Sequence, residues 1–144
     1  MSHAPHLLLV DNNRHEARSI TAALSRYGLP PPTHVRTGEQ ALAWCAFHPC
    51  TACVIATDLP GLSGVETMVR LRERQPALPV VVISHAHRET MAMAALGAGA
   101  AAYISTSPSL PEDVAAAVAR CGATNSHGND ARRYDSITLT STSV

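Results

Sequence analysis

Four short apolar runs in this 144-residue chain end on side chains that could hold an ion or move a proton. HLLLV is followed by Asp11-Asn12-Asn13, ACVIA by Thr57 and Asp58, PVVVI by Ser84 and His85, and AAYIS by Thr106. A carboxylate such as Asp11 can ligate a hard cation or cap a helix by accepting backbone N–H groups. Asn12, an amide, is the weaker cation ligand of the two. Ser84 and Thr106 offer hydroxyls, while His85 and His87 titrate near neutral pH and could form a switch, although loop histidines are ordinarily just solvated. A second group is built on sulfur. Cys50-Thr51-Ala52-Cys53 is a Cys-x-x-Cys, with Cys45 and His48 close by, a spacing open to zinc or redox chemistry. Cys53 falls inside a strand and Cys45 on the apolar face of a helix, so buried reduced thiols are the expected state.

Repeated strand-and-helix units must position these groups. Residues 6–10 read as a strand, and 13–27 as a helix with Ala17, Ile20, Ala23 and Leu24 at helical spacing before Gly28. Three prolines at 30–32 exclude helix there, a weak strand follows at 33–36, and Thr37-Gly38-Glu39 opens a second helix running to about His48. Residues 52–56 form a third strand, Pro60-Gly61-Leu62-Ser63-Gly64 a loop, and Val65, Met68 and Leu71 the apolar face of the next helix. The β-branched run at 79–84 is the most strand-like segment and leads to a helix at 90–96, closed by Gly97 and Gly99. A fifth strand surrounds Tyr103, and Pro111-Glu112-Asp113 begins a last helix that should end near Cys121. Strands that are apolar without alternation, each followed by a helix, predict a doubly wound α/β fold with a parallel sheet covered on both faces.

Composition narrows the function classes. Lys and Arg number 11, as do Asp and Glu, so no net field favours nucleic acid or anionic lipid. No run reaches the roughly 18 apolar residues of a membrane helix, and the N-terminus lacks a signal-peptide pattern, so a cytoplasmic location is expected. Hydrophobic residues make up 46% but aromatics only 3%, which requires a core of Ala, Val, Leu and Ile. One domain over residues 1–121 is expected, followed by a disordered Ser/Thr-rich tail at 122–144.

The residues just after each strand, where ligands bind in such sheets, are Asp11, Asn12, Ala56, Thr57, Ser84 and Thr106. Together with LLLVDN, TGEQAL, LPGLSG, PVVVIS and AGAAAYIS, in that order, they resemble the receiver domain of bacterial response regulators over about residues 6–121. The resemblance implies a flavodoxin-like five-stranded sheet ordered 2-1-3-4-5 and a role in two-component phosphorelay signalling. It also implies what a working site needs: an acidic pair for Mg²⁺, an aspartate nucleophile after the third strand, a Ser or Thr after the fourth and a Lys after the fifth. Aligned without a gap, this chain puts Ala56 at the nucleophile, Asp11-Asn12 at the acidic pair, Ser84 at the hydroxyl and Thr106 at the lysine. Tyr103 stands at the switch aromatic.

A methyl group cannot attack phosphorus, and with Asn12 and Thr106 the changes read as one coherent loss of charge. The expectation is a degenerate site with no catalysis and no cofactor, Mg²⁺ being held only weakly by Asp11. Output would come from a pseudo-receiver binding a histidine kinase, response regulator or other signalling protein through its fourth helix, fifth strand and fifth helix. A homodimer through the last helix is compatible with the resemblance. A two-residue shortening of the loop would instead bring Asp58 to the nucleophile position, giving a phosphorylatable receiver. No Gly-rich phosphate loop follows the first strand, which argues against a flavodoxin-like enzyme or nucleotide binder.

Overall fold

The computed structural model describes residues 6–85 and 89–127. The chain alternates β1 (Leu7–Val10), α1 (Arg14–Arg26), β2 (Thr33–Val35), α2 (Gly38–Cys45), β3 (Ala52–Ala56), α3 (Gly64–Arg74), β4 (Val80–Ser84), α4 (Glu89–Gly97), β5 (Ala102–Ser105) and α5 (Leu110–His127). The strands pair in parallel in the order β2-β1-β3-β4-β5, as the resemblance implies.

Why the strands lack alternation is visible in their burial. Every residue of β1, β3 and β4 is buried, because successive side chains feed two separate cores. Leu7, Leu9, Val54, Val81 and Ile83 face one core with Ile20 and Leu24 of α1 and Val114 and Val118 of α5. Leu8, Val10, Ile55, Val80 and Val82 face the other with Ala41 of α2, Met68 and Leu71 of α3, and Ala95 of α4.

Helix starts follow their caps. Asn13 accepts the Glu16 N–H at 2.9 Å, Thr37 accepts that of Gln40, and Ser63 forms a capping box with Glu66. The cap of α1 is therefore Asn13 and not Asp11, whose Oδ1 instead accepts the N–H of Asn13 itself at 2.9 Å.

Two helix ends differ from expectation. α2 stops at Cys45, and 46–48 continue as a turn with Phe47 and His48 N–H groups on the Trp44 carbonyl before Pro49. α5 runs on to His127, since one glycine inside a helix costs only about 1 kcal/mol and does not by itself end it. The rest of the expected tail, 128–144, lies outside the described residues, as does His87. Among the described residues no helix is long and apolar enough to cross a membrane.

Candidate functional site

Parallel pairing brings the carboxyl ends of all five strands to one edge, and backbone bonds fix their order there. The Asp11 N–H donates to the Val35 carbonyl at 3.1 Å, Thr57 to Ile83 at 2.8 Å and Thr106 to Ser84 at 2.9 Å. In register, Val10 lies opposite Ile55, Ala56 opposite Ile83 and Ser84 opposite Ser105. Asp11, Ala56, Ser84 and Thr106 thus share the edge that the sequence assigned them.

Asp11 is 2% exposed, and its Oδ2 is buried with no hydrogen-bond partner among the described residues. Burial pushes its carboxyl up to about 8, with the neighbouring Glu16 carboxyl acting in the same direction and the Asn13 N–H opposing. Its backbone carbonyl is bonded to His34 Nε2 at 2.8 Å. Asn12 is exposed.

Ala56 is the last residue of β3 and is buried. The loop beyond it is pinned at both ends, because the Gly64 N–H returns to the Thr57 carbonyl at 3.2 Å. A Cβ on Gly64 would come within 2.2 Å of the Ala56 carbonyl oxygen, so only glycine allows α3 to start this close to β3. Asp58 is exposed on that loop, two residues past the strand. Ser84 is fully buried at the end of β4, and Thr106 is half-buried. Tyr103, in β5, is 9% exposed, and its buried hydroxyl has no partner among the described residues.

Two residues that sequence reading passed over complete the edge. The Glu16 carboxylate accepts from His85 Nε2 at 2.9 and 3.1 Å, tying the residue after β4 to the first turn of α1. The only hint was its spacing three residues after the Asn13 cap, which turns a side chain back toward the helix start. His34 carried no such signal.

A hard cation needs several oxygen ligands in near-octahedral order. Asp11 Oδ2 offers one such oxygen and the Glu16 carboxyl lies close enough to act on it, but the next residue is an exposed amide, Asn12, and β3 ends on a methyl, Ala56. The residues present do not fit a Mg²⁺ site of ordinary strength.

The cysteines lie at the opposite, amino edge, since Cys45 ends α2 and Cys50 precedes β3. The sulfur contact is not within the Cys-x-x-Cys. Cys45 Sγ and Cys50 Sγ are 3.4 Å apart, while Cys53 is fully buried and its thiol is pushed up by that burial. Among the described residues no group of three or more His, Cys, Asp or Glu side chains could hold a metal ion.

Comparison with known proteins agrees with this architecture. The sequence profile of the response regulator receiver domain matches residues 7–119. The transcriptional activator protein ExaE of Pseudomonas putida is 36% identical over 75 residues, 52% of this chain and 35% of that protein. The photosynthetic apparatus regulatory protein RegA of Rhodovulum sulfidophilum is 29% identical over 114 residues, 79% of this chain and 61% of its own. The chain therefore spans between about a third and three fifths of these two relatives. A CheY-like receiver domain protein from Methanospirillum hungatei superposes with a TM-score of 0.76 at 19% identity, covering 87% of this chain and 99% of that one. A response regulator from Chloroflexus aurantiacus superposes at 0.73 with 25% identity, covering 81% and 97%.

Proposed function

The chain belongs to the response regulator receiver family of two-component signalling, and from that premise we propose that it is a pseudo-receiver, acting by protein binding without phosphorylation. The observation that supports the reading is Ala56 as the buried last residue of β3, the position at which the resemblance to working receivers implies the aspartate nucleophile. Asn12 and Thr106 support it, because a nucleophile would still lack the second acidic ligand and the fixed positive charge that phosphoryl transfer needs.

Such a module contributes no catalysis and takes no cofactor. Its partner is a signalling protein, a histidine kinase or another response regulator among the candidates, docking on α4, β5 and α5, and its place is the cytoplasm. Tyr103, already buried, supports a β5 face held in one arrangement.

The competing reading is phosphorylation of Asp58. Its support is one exposed carboxylate on the loop after β3. Incubation with acetyl phosphate and Mg²⁺, followed by intact-mass measurement, decides between the two. The pseudo-receiver gains no phosphoryl mass, and its partner binding is unchanged by the donor. A gain of one phosphoryl group that disappears in Asp58→Ala would overturn the proposal. A triple variant, Asn12→Asp with Ala56→Asp and Thr106→Lys, serves as the positive control and is expected to label.

A further inference from the structure

Away from the carboxyl edge, the arrangement around Cys45 and Cys50 has a second chemistry. Cys45 is half-buried at the last turn of α2, and Cys50 is 6% exposed just before β3. Their sulfurs touch at 3.4 Å. A disulfide needs about 2.05 Å, so closure requires a shift of little more than 1 Å, and the intervening turn at 46–49 already folds back to bring the thiols together.

Cys50 is held in place by its backbone. Its N–H donates to Gln75 Oε1 at 3.3 Å, and the Gln75 amide donates to its carbonyl at 3.0 Å. Gln75 is itself the C-cap of α3, so α2, β3 and α3 meet at this pair. The remaining thiols, Cys53 and Cys121, are buried in separate cores.

We propose that Cys45 and Cys50 are a redox modification site, oxidised by a hydroperoxide to a reversible disulfide. The Cys45 thiolate attacks the peroxide oxygen and breaks the O–O bond. Cys45 becomes a sulfenic acid, and the leaving hydroxide takes a proton to become water. The Cys50 thiol then loses its proton and attacks the sulfenic sulfur, the S–O bond breaks, and a second water leaves. Two thiols and one hydrogen peroxide thus give one disulfide and two waters. Roles follow from the environment. Hydrogen bonding with Cys50 holds the Cys45 thiol below its ordinary value, opposed by burial and aided by Arg74. The contact with Cys45, with burial, pushes Cys50 up, and because Cys45 is half-buried where Cys50 is only 6% exposed, a peroxide reaches Cys45 first, so Cys45 is the nucleophile and Cys50 the resolving group.

The test uses the intact protein. It is treated with hydrogen peroxide, quenched, unfolded, alkylated with N-ethylmaleimide and weighed. Of the four free cysteines, two are expected to alkylate after oxidation, with a peptide joining positions 45 and 50 that dithiothreitol releases. In Cys50→Ser the sulfenic acid cannot be resolved, so dimedone adds at Cys45. In Cys45→Ser no adduct forms at Cys50. Four alkylated cysteines, a bond to Cys53 or Cys121, or a dimedone adduct on Cys50 would each overturn the proposal. The wild-type measurement stands even where a variant fails to fold. None of these outcomes depends on phosphorylation at the other edge.

Discussion

Asp11 carries a pH dependence whose sign its two titrations set. Its carboxyl titrates near 3.8 when unperturbed, the value taken for the unfolded chain, and near 8 when folded. Between those values the unfolded chain has released a proton that the native state keeps, so this group's effect on stability falls as pH rises from about 4 to 8 and is flat above. Asp11→Asn keeps an acceptor for the Asn13 N–H and removes the titration. Thermal melts in a chelating buffer should find the variant more stable than wild type at pH 8, with the gap closing toward pH 4. A gap that is constant across that window would refute the assignment. Tyr103 offers a second check. A buried hydroxyl with no partner among the described residues carries a desolvation cost, so Tyr103→Phe should be neutral or stabilising by about 1 kcal/mol in urea unfolding. A loss of more than that would mean that the hydroxyl has a partner.

The β3-to-α3 loop is where local geometry decides most. Gly64→Ala would drive a methyl into the backbone of Ala56 and Thr57, neither of which can yield without disturbing the sheet, and should cost about 3 kcal/mol by denaturant titration. Ser63→Ala removes one half of the capping box and should cost about 1 kcal/mol. The strands and helix starts were legible in sequence because they rest on local signals: unbroken apolar runs such as PVVVI, and the caps Asn13, Thr37 and Ser63. The ends of α2 and α5 were not. Composition near His48 and Gly122 gave no hydrogen-bond pattern from which to read a stop. At the edge of the sheet, Asp11, Ala56, Ser84 and Thr106 could be placed because each directly follows a strand. Glu16 meeting His85, and Cys45 meeting Cys50 when the written motif pairs Cys50 with Cys53, depend on how turns fold back, and residue spacing does not encode that.

Taken whole, the molecule has a rigid centre and two chemically distinct edges. β1, β3 and β4 are buried on both faces, whereas β2 is only partly covered. Native-state hydrogen exchange should therefore protect the amides of β3 and β4 most, and release those of Thr33–Val35 first. Equal protection across the sheet would contradict the packing. β3 separates the edges by five residues, roughly 16 Å of extended chain, so an event at one need not disturb the other. The contact between Cys45 and Cys50 then has a consequence in time. A phosphoaspartate is an acyl phosphate that water removes unaided, so a signal written in it fades on its own clock. A disulfide persists until another thiol attacks it. A receiver marked at its amino edge would keep a record of past oxidation for as long as reductant is scarce, and its decay would be set by the surrounding thiol pool rather than by its own fold.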